Sequence, residues 1–136
     1  MPPLTRWFIK AAMLYFVLAL CAGLLLALPS GSPVLGLFPV YLHLLTFGWL
    51  TQLIFGIALW MFPKYSSAEP RGHAWLGWGT FILLNAGLLL RVIFEPLSSS
   101  NVLLPFSGWM LIVAAVLQWL AGLAFVANTW TRIREK

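Results

Sequence analysis

His43 is the residue most able to do chemistry in this chain. It lies a turn inside an apolar run that extends from Phe38 to Phe62. An imidazole held in lipid must be paired, ligated or turned into a helix bundle. It is also a common ligand for iron and copper. The plainer alternative is a neutral histidine hydrogen-bonded to a neighbouring helix or to headgroup water. The second histidine, His73, stands in Arg71-Gly72-His73 at the mouth of a later apolar run, where a solvated interfacial role suffices. Arg91 and Glu95 are spaced i, i+4, which puts them on one helix face and close enough to pair. Such a pair either closes a helix end, with Arg91 snorkelling outward, or aims a cation at a buried anion such as a heme propionate. Cys21, His43 and Met110 are soft or borderline donors of the kind copper(I) accepts. No Ser-His-Asp set, Gly-rich phosphate loop or paired-carboxylate site is present.

Four helices must position these groups. Of the 136 residues, 62% are hydrophobic and 8% charged, more apolar surface than a soluble domain of this size buries. A spanning helix needs roughly 20 apolar residues. Runs of that kind extend over Trp7–Leu28, Phe38–Phe62, Trp75–Glu95 and Leu103–Thr129. The expected fold is therefore an all-α, integral membrane four-helix bundle forming a single domain. The first run is longer than the h-region of a signal peptide, and Pro29-Ser30-Gly31-Ser32-Pro33 after it reads as a tight turn. Short connectors over Lys64–His73 and Pro96–Asn101 leave no room for a soluble domain within the chain.

Charge sets the expected orientation. Arg6, Lys10, Lys64, Arg71, Arg132, Arg134 and Lys136 fall on one side of the four-span arrangement, and only Arg91 lies toward the other. The positive-inside bias puts both termini on the cytoplasmic side of the cell inner (plasma) membrane. The net charge of +5 then needs no nucleic-acid partner. The tail Thr131-Arg132-Ile133-Arg134-Glu135-Lys136 reads as a headgroup anchor. Trp7, Trp60, Trp75, Trp78 and Trp130 form an aromatic belt on the same side, with Trp109 toward the other. Cys21 is the only cysteine, so no internal disulfide forms.

Depth groups the polar residues. Counting along the helix rise from the outer ends places Cys21, Tyr41, His43, Arg91, Glu95, Ser107 and Met110 at one level. Met13, Met61, Lys64 and His73 belong to the inner side, and Gln52, Asn85 and Gln118 lie nearer the middle. His43 and His73 are thus separated by a hydrocarbon core of about 30 Å and cannot share one heme within a chain. At about 100° per residue, Gly48, Gln52 and Gly56 share a narrow face that suits close helix packing. His43, Phe47, Leu50 and Ile54 fall on another face, open either to a flat apolar ligand or to lipid. The three membrane amides are expected to hydrogen-bond between helices. No Asp, Glu or Lys sits at a membrane centre, which argues against a four-helix proton-coupled exporter.

The stretch Tyr41-Leu-His43-Leu-Leu-Thr46-Phe47-Gly48-Trp49-Leu50-Thr51-Gln52-Leu-Ile-Phe55-Gly56-Ile-Ala-Leu-Trp60-Met-Phe62-Pro63 resembles the second transmembrane helix of heme–copper oxidase subunit I. The nearest likeness is to C-type oxidases and nitric-oxide reductases. It is also similar to membrane proteins of the nitric-oxide response family. The resemblance implies that His43 is an axial ligand of a low-spin heme b. Asn85-Ala-Gly87-Leu-Leu-Leu-Arg91 with Glu95-Pro96 has the flavour of the same superfamily, without a matching ligand. A complete subunit I has many more helices and several more histidines than the 2 present here, so this chain cannot build a heme–copper centre alone.

These readings point to a small heme-b-binding membrane protein in electron transfer or in gas or redox sensing. A second axial position would come from His43 of another chain, giving a homo-oligomer, or from Met110, or stay open. Arg91 would face a propionate. The alternative is a copper-binding or heme-free accessory or assembly subunit of a respiratory complex, with Cys21, His43 and Met110 as copper donors.

Overall fold

The computed structural model describes residues 1–29, 34–65, 72–100 and 106–133. Four helices dominate it: α1 (Pro3–Leu26), α2 (Leu37–Met61), α3 (Ala74–Ser99) and α4 (Ser107–Thr129). Each is long and apolar enough to cross a membrane. Ser30–Pro33 of the first expected turn, Arg71, the 101–105 segment and Arg134–Lys136 lie outside the described residues.

Local chemistry explains where the helices begin and end. α1 starts at Pro3, ahead of the apolar run, because proline at the first helical position has its φ already set and gives up only an N–H that would be unbonded. α2 starts after Gly36, whose φ of 73° favours glycine. A Cβ there would also run into the Ser99 side chain and come within 3.0 Å of the Glu95 carbonyl oxygen. The start of α2 is thereby docked on the end of α3.

α3 passes through Pro96 to Ser99, where the sequence placed a boundary at Glu95. Pro96 cannot donate to the Val92 carbonyl, but the loss is confined to one bond because the helix runs only one turn further. The Ser99 hydroxyl donates to the Glu95 carbonyl (2.9 Å), and the Ser100 N–H donates to that of Pro96 (2.9 Å). These bonds carry the last turn past the proline.

Glycines set how closely the helices approach. Consecutive helices run antiparallel, so the start of α1 and the end of α4 lie at one end of the bundle, called here the terminal end. There, a Cβ on Gly77 of α3 would meet Leu4 of α1 at 2.7 Å and Asn128 of α4 at 3.7 Å. At the far end, Gly23 of α1 lies against the Tyr41 ring of α2. The Gly48–Gln52–Gly56 face of α2 packs as its spacing predicts, with all three residues buried. A Cβ on Gly48 would meet Tyr15 Cβ at 2.8 Å and Leu88 at 3.0 Å, and one on Gly56 would meet Phe8 Cβ at 2.7 Å. α3 and α4 make the other close pair, with Gly87 set against the Ala114 carbonyl and Gln118. Two apolar clusters fill the interior: Tyr15, Ala19, Val40, Leu44 and Leu88, and Phe8, Leu59, Leu84 and Ala121.

The tail differs from the sequence expectation. Arg132 is 1% exposed and is not a headgroup anchor. Its Nε donates to the Pro63 carbonyl (3.0 Å), and Nη2 donates to those of Leu59 (3.1 Å) and Phe62 (2.9 Å). The final carbonyls of a helix carry partial negative charge and lack intrahelical donors. A guanidinium offers enough donors to satisfy several of them at once. Arg132 therefore ties the end of α4 to the end of α2. Arg132→Met is expected to cost about 3 kcal/mol, since it strands carbonyls in a buried site. The check is a thermal melt in detergent, read against Lys64→Met, which is expected to melt like the parent because Lys64 is exposed.

Candidate functional site

The site is built around a distortion in α2. Residues Leu44–Thr51 form a π-helical segment between two α-helical ones, Leu37–His43 and Gln52–Met61. Widened turns of this kind are rare and concentrate at functional sites. His43 is the last residue before the segment. Its ring nitrogen Nδ1 lies 2.8 Å from the Pro39 carbonyl oxygen. A carbonyl can only accept, so Nδ1 carries the proton. In the neutral ring, Nε2 then holds the free lone pair. Hydrogen bonding of one imidazole nitrogen to a backbone carbonyl is how proteins orient a histidine that ligates metal through the other. Among the described residues nothing hydrogen-bonds to Nε2. The ring is half-buried and lies nearly parallel to Phe47, with centroids 5.8 Å apart and planes 15° apart.

The widened helix also changes which side chains share a face. Leu50 and Ile54 are exposed, as that face predicts. Phe47 instead packs against both apolar clusters. A constant 100° per residue fails across the π-helical turns, and Phe47 rotates toward the core while still stacking on His43. The face expected beside the imidazole thus keeps Leu50 and Ile54 exposed, while Phe47 is shared between the His43 ring and the core.

Deeper in the bundle, Tyr15, Gln52 and Asn85 form a polar cluster that joins α1, α2 and α3. The Tyr15 hydroxyl donates to Asn85 Oδ1 (2.9 Å), as does Gln52 Nε2 (3.1 Å). Asn85 Nδ2 donates to the Phe81 carbonyl (2.7 Å) and, more weakly, to Gln52 Oε1 (3.4 Å). Gln52 and Asn85 hydrogen-bond between helices as expected, and Tyr15 is a third member that depth counting did not bring in. Gln118 differs. It is buried against Gly87, and its Nε2 has no hydrogen-bond partner among the described residues.

Arg91 and Glu95 do pair, at 3.2 Å along one face of α3, both mostly buried. Arg91 Nε is buried without a partner among the described residues, so the guanidinium keeps a donor to spare. Met110 is half-buried on the first turn of α4. Cys21 is exposed on α1. No hydrogen bond or ring contact among the described residues joins Met110, Arg91 or Cys21 to His43. Nor does any group of three His, Cys, Asp or Glu side chains among the described residues lie close enough to hold a metal ion. α4 packs chiefly on α3; its ring contact with α2 is Phe125 stacked on Phe55, centroids 3.9 Å apart. His73 is exposed at the terminal end, with Tyr65 at 5.8 Å between ring centroids.

Two features of the site had little sequence signal. No residue type announces the π-helical segment. Arg132 left a trace, because a basic residue just after α4 falls at the same end as the carbonyls that close α2. The chain matches no protein-family model, no curated protein and no solved structure.

Proposed function

We propose that this chain binds heme b through His43 and acts in electron transfer or in gas or redox sensing. The observation that carries the reading is the Nδ1–H bond from His43 to the Pro39 carbonyl, which leaves Nε2 as a lone-pair donor. The residues present fit a single protein ligand to a heme. When bound, the group would supply one-electron or gas-binding chemistry at its iron. His43 would hold the group, with the Phe47 ring beside the imidazole and Arg91 as the cation for a propionate. His43 of a second copy, related by a two-fold axis, would supply the other ligand. That choice follows from α4 packing chiefly on α3, away from His43.

The test is a heme titration into the purified chain, followed by visible absorption. A low-spin b-type spectrum is expected, and Met110→Leu is expected to leave it unchanged. Conversion of that variant to a high-spin spectrum would assign the sixth position to Met110. A chain that takes up copper(I) and no heme would favour the accessory-subunit reading, with Cys21 and Met110 as further donors.

The termini are placed on the cytoplasmic face of the plasma membrane, on the charge bias. Single cysteines at Ser98 and Ser99, exposed at the far end, are expected to react with an impermeant maleimide added to intact cells. A cysteine at Lys64 is expected to react only after lysis. The reverse pattern would invert the topology.

A further inference from the structure

We propose that the first turns of α1 form a seat for the phosphate of an anionic phospholipid, with Arg6 and Lys10 as its cations. Pro3, Arg6, Trp7 and Lys10 surround an open hollow of about 200 Å³. All four are exposed. Arg6 and Lys10 stand i, i+4 on one side of the helix, where like charges repel unless an anion lies between them. No acidic residue occupies the first turn of α1. Arg6 Nε donates to the Met1 carbonyl (3.2 Å), which steadies the guanidinium while its two terminal nitrogens have no hydrogen-bond partner among the described residues.

The same side of α1 identifies the occupant as a lipid rather than a free ion. Beyond Lys10 it continues toward the far end as Leu14, Val17, Cys21 and Leu24, all exposed. At 3.6 residues per turn these stand in line with the hollow. A phosphate in the hollow would therefore have its acyl chains along an apolar strip of the same helix. Trp7, 55% exposed beside the cations, is placed as an interfacial anchor. The seat rests on α1 crossing the bilayer and is independent of heme.

The test is native mass spectrometry of the full chain in neutral detergent, titrated with phosphatidylglycerol, phosphatidylcholine or inorganic phosphate. Basic residues at an anionic surface contribute about 1 kcal/mol each, so two predict a preference of about thirtyfold for phosphatidylglycerol over phosphatidylcholine. Arg6→Gln/Lys10→Gln is expected to abolish the preference. Arg6→Lys/Lys10→Arg and Lys64→Gln are expected to keep it. Preference retained in the double glutamine variant would overturn the proposal, and displacement of the lipid by inorganic phosphate would overturn the lipid assignment. Should the glutamine variant fail to fold, a photoreactive phosphatidylglycerol on the unaltered chain decides instead. Labelling within Pro3–Lys10 supports the seat, and labelling confined elsewhere overturns it. Heme content is read in the same spectra, so failure of the lipid seat and failure of heme binding are separate outcomes.

Discussion

His43→Ala is expected to remove heme binding, with the Soret absorbance of the heme-titrated protein falling to the level of free heme. The affinity loss should exceed the roughly 10–100-fold that follows loss of an outer-shell partner to a metal ligand. Among the described residues, His43 makes one side-chain hydrogen bond, to the Pro39 carbonyl of its own helix, and one ring contact, to Phe47. Neither ties α2 to a neighbouring helix, so the variant should fold and melt much like the parent. His73→Ala is the matched control, because His73 is exposed at the terminal end. It is expected to keep the full spectrum. Equal loss in both variants, or loss in neither, would separate heme binding from His43.

Gly56→Leu is expected to destabilise the bundle by about 3 kcal/mol or more, at the upper end of what overpacking costs. A Cβ at this position would lie 2.7 Å from Phe8 Cβ, a branch point fixed to the backbone of α1. Neither atom has a torsion that relieves the contact, so the helices must separate. Separation would also stretch the hydrogen bonds of Gln52 and Tyr15 to Asn85, which join the three helices. Gly122→Leu supplies the contrast, since among the described residues nothing lies within 4 Å of a Cβ built there. Unfolding in mixed detergent, followed by tryptophan fluorescence, should show a lowered midpoint for Gly56→Leu and little change for Gly122→Leu. Equal midpoints would mean that the glycine face does not govern packing.

The spans and their packing stripe were legible because both depend on periodic properties. Apolar length sets the four helices. The i, i+4, i+8 repeat of Gly48, Gln52 and Gly56 places small and amide groups on one face whatever the neighbour is. Arg91 and Glu95 were legible for the same reason, since a helix places residues four apart together. What escaped depends on contacts distant in sequence or on departures from regular geometry. Arg132 caps a helix some 70 residues earlier in the chain, and charge alone reads equally well as a headgroup anchor. The π-helical segment breaks the constant angular step on which the placement of Phe47 relied. Tyr15 reads from sequence as one more aromatic in an apolar run, yet its hydroxyl completes the Gln52–Asn85 cluster. Gln118 is the converse case, an amide whose depth suggested a partner that its packing against Gly87 does not provide to Nε2.

His43 keeps Nε2 as a lone-pair donor, and the direct test of heme binding through it is the heme content of the chain expressed with ample heme and purified in mild detergent. Pyridine hemochrome analysis should report heme b, at one heme per two chains if His43 from each copy supplies an axial ligand. Protein that retains its fold and its unaltered His43 but carries no heme b would contradict the central claim.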